Sequence, residues 1–307
     1  MINILITGGA GHVGASLANK LSEKDNVSIV ILDNLSTGKK QNLLLRENIK
    51  FIEGDINKIS GMEAMLKERP FNYIFHYSAV VGVQRTQDHP LLVFDDIDGI
   101  KNILSIALQH STQRVYFSSS SEVYGEPVEI PQHEMTTPLN SKIPYAIVKN
   151  VGESFLRSYQ KEFNLNYTIL RFFNTYGPLQ SDDFVITKFI KLALENEDLI
   201  IYGDGAQTRT FLHVDDNINF TIECLENNYF NNDVVNVGSD EEMRIDALAE
   251  KVIEMTNSKS KIKFIAPLEE GDMSRRKPDL NKFRSVYQGR LVSIDEGIRS
   301  LIDRFKV

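Results

Sequence analysis

The first stretch of this chain limits its fold more than any other. Ile2–Ile6 (Ile-Asn-Ile-Leu-Ile) reads as a buried strand, and it runs straight into Thr7-Gly8-Gly9-Ala10-Gly11-His12-Val13-Gly14 and a helical pattern over His12–Lys24. Gly8 permits a tight turn, Gly11 lets backbone approach a bound group, and Gly14 lets the helix pack close to the strand. The N–H groups at His12 and Val13, with the positive end of the helix dipole, then face a position suited to a diphosphate. A plain glycine-rich connection is the alternative. It is disfavoured because the pattern sits between strand and helix at the very start of a βαβ unit.

The chain then repeats that unit. Val27–Leu32, Lys50–Ile52, Tyr73–Phe75, Arg114–Phe117 and Tyr167–Leu170 read as strands, with helical patterns at Ile59–Glu68, Leu91–Gln109 and Ser141–Phe163. Strands that are apolar on consecutive positions and separated by helices imply a parallel sheet covered on both faces. The expected fold is therefore α/β, a doubly wound parallel (Rossmann) sheet. After Arg171 the character changes. Helices are expected at Phe184–Glu195, Asp246–Met255 and Ser293–Phe305, and strands at Leu199–Tyr202, Val234–Val237 and Lys261–Ile265. Asp272–Asp279 reads as an extended basic segment. Residues 1–172 are expected to form the dinucleotide-binding domain and 173–307 a smaller C-terminal α/β substrate lobe, with some later segments returning to the main sheet.

Charge and cysteine content narrow the function. The net charge of −8 argues against general binding of nucleic acid or anionic membrane, which needs a basic surface. The single cysteine, Cys224, rules out an intrachain disulfide and a multi-cysteine metal site, and its apolar helical setting (Ile218–Leu225) suits a buried thiol. The histidines show no ligand spacing, so no metal is expected. No apolar run reaches membrane-spanning length and the N-terminus lacks a basic leader, so a cytoplasmic protein is expected.

Several side chains carry chemistry. Asp33 ends the second strand, where a carboxylate accepts hydrogen bonds from ribose hydroxyls and repels a 2′-phosphate; that favours NAD, with Asn34 beside it. Asp55-Ile56 follows the third strand and suits the wall of an adenine pocket, or a cap for the helix beginning near Asn57. His76, at the end of the fourth strand, suits organising that end better than chemistry. Tyr145 and Lys149 are one helical turn apart on one face. An ammonium and a nicotinamide cation there would stabilise a phenolate, lowering the tyrosine pKa toward the working range. Ser118–Ser121 and Glu122 follow the Arg114–Phe117 strand, at the end where α/β proteins place ligands.

These segments resemble the extended short-chain dehydrogenase/reductase family of nucleotide-sugar epimerases, dehydratases and decarboxylases. The carriers are Thr7–Gly14, Asp33–Gly38, Phe117–Gly125, Tyr145–Lys149, Arg171–Pro178 and Gly203–Phe211, and the likeness covers nearly the whole chain. The resemblance implies NAD as cofactor and a nucleotide-diphosphate sugar as substrate. It implies Tyr145 as catalytic base, Lys149 on the nicotinamide ribose and Ser120 as the catalytic hydroxyl. Ser121 and Asn174 would meet the substrate, and Arg209 with Arg276 (or its neighbour Arg275) would pair with the diphosphate. The chain departs from the common pattern at Ser78, Asp96 and Val148.

The family's reactions share a first step, removal of a hydroxyl proton and hydride from the sugar, classically at C4. Glu122 resembles the acid of dehydratases and xylose-forming decarboxylases, and Arg276-Lys277-Pro278-Asp279 also resembles the decarboxylases. Tyr145–Lys149 and the loop Val80–Thr86 resemble the 4-epimerases, which is the reading chosen, with 4,6-dehydratase second and UDP-glucuronate decarboxylase third. A non-enzymatic dinucleotide sensor is a reading from another class; it would keep Thr7–Gly14 without needing Tyr145. Leu91–Gln109 and Ser141–Phe163 resemble the family's dimer-forming helix pair, so a homodimer is expected.

Overall fold

In the computed structural model, residues 1–44, 46–81, 86, 88–267 and 273–305 are described. Gly82–Arg85 of the Val80–Thr86 loop, and Asp272, lie outside them. Seven strands form one parallel sheet in the order β11-β6-β5-β4-β1-β2-β3. They are β1 Ile2–Thr7, β2 Val27–Asp33, β3 Ile49–Glu53, β4 Tyr73–His76, β5 Arg114–Ser120, β6 Tyr167–Phe172 and β11 Asp233–Val237.

The uninterrupted apolar character of these strands has a simple cause. Successive side chains on a strand point to opposite faces, and both faces are covered. Ile4 and Ile6 enter one core while Leu5 enters the other; Ile29 and Ile31 part from Val30 and Leu32 in the same way. Each such fully buried aliphatic side chain contributes about 1.5–3 kcal/mol.

A third core draws on the C-terminal half alone, with Ile186, Phe189, Leu248, Ile298 and Leu301 at its centre. Helices Val185–Leu194, Ile245–Thr256 and Ile294–Phe305 surround it. Three two-stranded pairings accompany it: β7 Thr175–Tyr176 with β10 Leu212–His213, β8 Leu199–Tyr202 with β13 Ile262–Ile265, and β9 Thr208–Thr210 with β12 Glu242–Arg244. Strand β11 comes from this half yet pairs with β6 at the edge of the main sheet.

Helix starts differ from those the sequence pattern implies. The helix expected from Ser141 begins at Pro144, its first residue; a proline lacks the N–H that would be unsatisfied there and has φ preset for a helix. The helix expected from Leu91 begins at Asp96, after a 3₁₀ segment Pro90–Asp95 that again opens on proline. The apolar stretch around Cys224 belongs to helix Val214–Glu226, and Cys224 is a buried free thiol. Among the described residues no helix is long and apolar enough to cross a membrane.

Candidate active site

Strand order reverses at β1, whose neighbours are β2 on one side and β4 on the other. Such a switch point opens a crevice beyond the carboxyl ends of the strands. A cavity of about 690 Å³ lies there, reaching from the Gly8–Gly14 turn to Tyr145, Arg276 and helix Val185–Leu194.

At the glycine end the turn is held close. Gly8 has φ +67°, and a Cβ on it would come within 2.7 Å of the Ser78 nitrogen. A Cβ on Gly14 would lie 2.3 Å from the Gly8 carbonyl oxygen. Gly8, Gly11, His12, Val13 and Gly14 all line the cavity. Among the described residues both ring nitrogens of His12 are buried without a partner, and burial, aided by His213, pulls its pKa down to about 3. The ring is therefore neutral, and the positive potential of the turn comes from backbone N–H groups.

Asp33 is buried. Its Oδ2 accepts from the Ala10 N–H at 2.9 Å and its Oδ1 from the Leu35 N–H at 2.8 Å. These bonds fix the carboxylate at the cavity wall with lone pairs to spare. Asn34 accepts from the Ser36 N–H at 3.0 Å. Asp55 and Ile56 line the same end. Asp55 does not cap the following helix, whose cap residue is Lys58; it accepts from the Asn57 N–H at 2.9 Å in a local turn.

At the other end, helix Pro144–Phe163 places Tyr145 and Lys149 over the end of β5. Lys149 Nζ donates to Ser118 Oγ at 3.4 Å and lies 5.7 Å from the centre of the Tyr145 ring. Burial lowers the Lys149 pKa to about 8, with Asp96 opposing. Ser120 Oγ accepts from the Glu122 N–H at 3.2 Å, opening the short turn Ser121–Tyr124. The Tyr145 phenol differs from expectation. Burial first and the Glu122 carboxylate second push its pKa up, while the Ser120 hydrogen bond and Arg276 pull the other way. The protein's own groups thus raise it rather than lower it.

The two candidate arginines separate cleanly. Arg275 is exposed and forks onto Glu242, at 2.6 Å from Nε to Oε1 and 2.7 Å from Nη2 to Oε2. Arg276 is buried, lines the cavity, and reaches Glu122 Oε1 with Nη1 at 3.4 Å. Arg209, by contrast, does not appear in the cavity wall among the described residues; it is buried in β9, and its Nη1 donates to the Thr208 carbonyl at 2.8 Å. Asn174 lines the cavity with φ +40°, its Nδ2 donating to the Thr210 carbonyl at 2.9 Å. Ser121 and Glu122 line it as well.

The fold also gives site roles that sequence spacing does not reveal. Asp96 bridges two loops: Oδ1 accepts from Asn57 Nδ2 at 3.0 Å and Oδ2 from the Val80 N–H at 2.8 Å. His76 organises the end of β4 as expected, with Nδ1 2.8 Å from Thr7 Oγ1. Leu179, Phe184, Val185 and Phe211 supply an apolar wall. Nothing marks such residues in a sequence, because apolar side chains at helical spacing read simply as core. Away from the cavity, His133, Glu134 and Asp279 stand close enough to share an ion. His133 Nδ1 already accepts from Met135 N–H, and both Asp279 oxygens accept from Asn281.

Known proteins resemble the chain over most or all of its length. The profile of the NAD dependent epimerase/dehydratase family matches residues 4–238. The chain is 35% identical, over 98% of its length and 97% of the relative's, to a UDP-N-acetyl-alpha-D-glucosaminuronate decarboxylase of Bacillus cytotoxicus. It is 31% identical, over 99% of its length and 98% of the relative's, to a putative UDP-glucose 4-epimerase of Methanocaldococcus jannaschii. Among solved structures, a UDP-glucose 4-epimerase with UDP-glucose from Thermotoga maritima superposes with a TM-score of 0.92 at 29% identity, covering 99% of each chain.

Proposed function

The chain belongs to the NAD-dependent epimerase/dehydratase family, and from that premise we propose that it is a nucleotide-diphosphate-sugar 4-epimerase working through a transient 4-keto sugar. The family binds NAD, and the residues here fit it. A Cβ on Gly8 or Gly14 would collide with neighbouring backbone, so the turn stays tight and free of side chains there, as a diphosphate-binding turn needs, and the Asp33 carboxylate, fixed at the cavity wall, would accept from the ribose hydroxyls. When bound, NAD supplies a hydride acceptor and a positively charged ring.

The chain's own residues do the rest. Tyr145 takes the proton from the sugar hydroxyl, and Ser120 Oγ bridges that oxygen and the phenol. Lys149, tied to Ser118, holds the nicotinamide ribose and supplies positive charge beside the phenol. Arg276 pairs with the sugar diphosphate, while Asn174 and Ser121 contact the substrate; Arg209 would have to swing out of β9 to join them. In this reading residues 1–172 bind NAD, joined in the sheet by β11, and the rest of 173–307 holds the nucleotide sugar.

The observation that carries the proposal is the meeting of Tyr145, Ser120 and Lys149 in one cavity with the glycine turn and Asp33. Incubation with a panel of UDP-, GDP- and dTDP-sugars tests it. Interconversion of C4 epimers without net NADH is expected; a stable 4-keto-6-deoxy product, or CO2 from a UDP-uronate, would reject epimerisation.

One observation favours a second reading, decarboxylase or dehydratase. Glu122 lies at the reacting end, paired with Arg276 and close enough to raise the Tyr145 pKa. A carboxylate there suits proton traffic at C5 or C6. Within the proposal Glu122 instead tunes the phenol. The same proposal includes a homodimer, since Leu91, Phe94 and Ile147 stand exposed on the segments that resemble the family's interface, and a cytoplasmic setting.

A further inference from the structure

Helix Pro144–Phe163 carries more than the tyrosine and lysine. Glu153 stands four residues beyond Lys149 and eight beyond Tyr145, so the three share one helical stripe. It is 0% exposed, where an unpaired carboxylate would be strongly disfavoured. Both oxygens are fully engaged. Oε1 accepts from Ser119 Oγ at 2.7 Å and Arg171 Nε at 2.8 Å; Oε2 accepts from Arg171 Nη2 at 2.7 Å and Arg157 Nη2 at 2.9 Å.

Arg171, on β6, is buried too. Its remaining Nη1 donates to the Tyr124 hydroxyl at 2.8 Å and the Glu134 carbonyl at 3.3 Å. The Tyr124 hydroxyl in turn donates to Asn236 Oδ1 at 2.7 Å, on β11. Ser119 immediately precedes Ser120, and Tyr124 ends the turn that bears Glu122. A single ion pair therefore grips the stretch 119–124 at both ends. One of its partners rides on the helix that carries Tyr145.

We propose that Glu153 and Arg171 are positioning residues, a buried clamp that sets the turn bearing Ser120 and Glu122 against Tyr145. The inference rests on the reading of Tyr145 and Ser120 as catalytic. Stability alone does not call for such a pair, since well-packed apolar residues serve as well or better at buried sites. Direction does. A guanidinium forked on a carboxylate fixes orientation as well as distance, and proton transfer tolerates little error in either. The clamp ties the strand that ends in the hydroxyl directly to the helix that carries the phenol.

Glu153→Gln leaves Arg171 buried without a counter-charge and risks the fold, so the decisive variants are Ser119→Ala and Tyr124→Phe, which release one end of the turn each and leave the ion pair intact. In the NAD-loaded enzyme each is expected to lower kcat on the order of 10-fold, with KM, Tm and NAD content close to wild type. The acidic limb of kcat should move to higher pH as the Ser120 hydrogen bond to the phenol loosens. Wild-type kcat and pH profile in both variants would overturn the clamp. So would a loss of kcat matched by an equal loss of Tm and NAD content, which marks a purely structural role. Titration of Tyr145 by ultraviolet absorbance, each protein measured against the same protein carrying Tyr145→Phe, needs no sugar. If the wild type turns over nothing in the panel, the epimerase reading fails, and this titration still decides the clamp: a raised phenol pKa in Ser119→Ala supports it, an unchanged one refutes it.

Discussion

Tyr145 sits in a setting that resists ionisation, and that resistance makes its neighbours testable. Burial and Glu122 raise its pKa; Ser120 and Arg276 lower it. Glu122→Gln removes the negative charge that opposes ionisation of the phenol, so the acidic limb of kcat should shift to lower pH, with turnover retained if the protein is an epimerase. Loss of turnover in that variant would instead identify Glu122 as a chemical participant and support the decarboxylase or dehydratase reading. Tyr145→Phe should cut turnover roughly 10²–10⁴-fold while denatured protein still releases stoichiometric NAD; undiminished turnover would remove the phenol from the mechanism, and a sensor would keep its NAD response. The pair Tyr145–Lys149 was legible in the sequence because helical spacing alone sets i and i+4 on one face. The choice of Arg276 over Arg275 was not, because it depends on Glu242 holding its neighbour from another segment. Nor was the direction of the phenol's shift, which comes from burial that only the assembled fold creates.

At the scale of elements, helix Pro144–Phe163 lies tightly on the sheet. A Cβ on Gly152 would come within 2.4 Å of Phe117 Cζ on β5. Gly152→Ala should therefore cost about 1–3 kcal/mol through overpacking, read as a lower urea midpoint, although glycine-to-alanine in an open helix would stabilise; an increased midpoint would show that Phe117 yields freely. Long periodic elements were readable from pattern, and strand β8 was placed residue for residue. Pairs such as β7 with β10, or β9 with β12, were not, since two or three residues hold no period. Their partners lie far along the chain: β12 meets β9 through Met243 and Arg209. One helix start slid to Pro144, because a proline admits a helix only behind it or at its first turn; the other slid to Asp96, behind the 3₁₀ segment Pro90–Asp95.

For the whole molecule, acid is the condition to watch. His76 and the His12 ring are held neutral by burial, each with its pKa lowered from 6.5 to about 3. The unfolded chain binds more protons than the folded one between those values, so stability rises with pH through that window and falls as the pH drops below about 6.5. Urea midpoints measured from neutral pH down to pH ~4 should decline, and less steeply in His76→Asn; equal slopes would show that His76 is not held neutral by the fold. Light scattering at micromolar concentration should find the homodimer; a monomer there would remove it from the proposal.

The position of β11 bears on dissection of the chain. Asp233–Val237 enters from far downstream and covers the outer flank of β6. An autonomous fragment stopping at Phe172 would leave the backbone of Tyr167–Phe172 with a bare hydrogen-bonding row, an invitation to pair with other copies. Such a truncate is expected to aggregate on expression, and supplying a peptide of residues 231–238 in trans should improve its solubility.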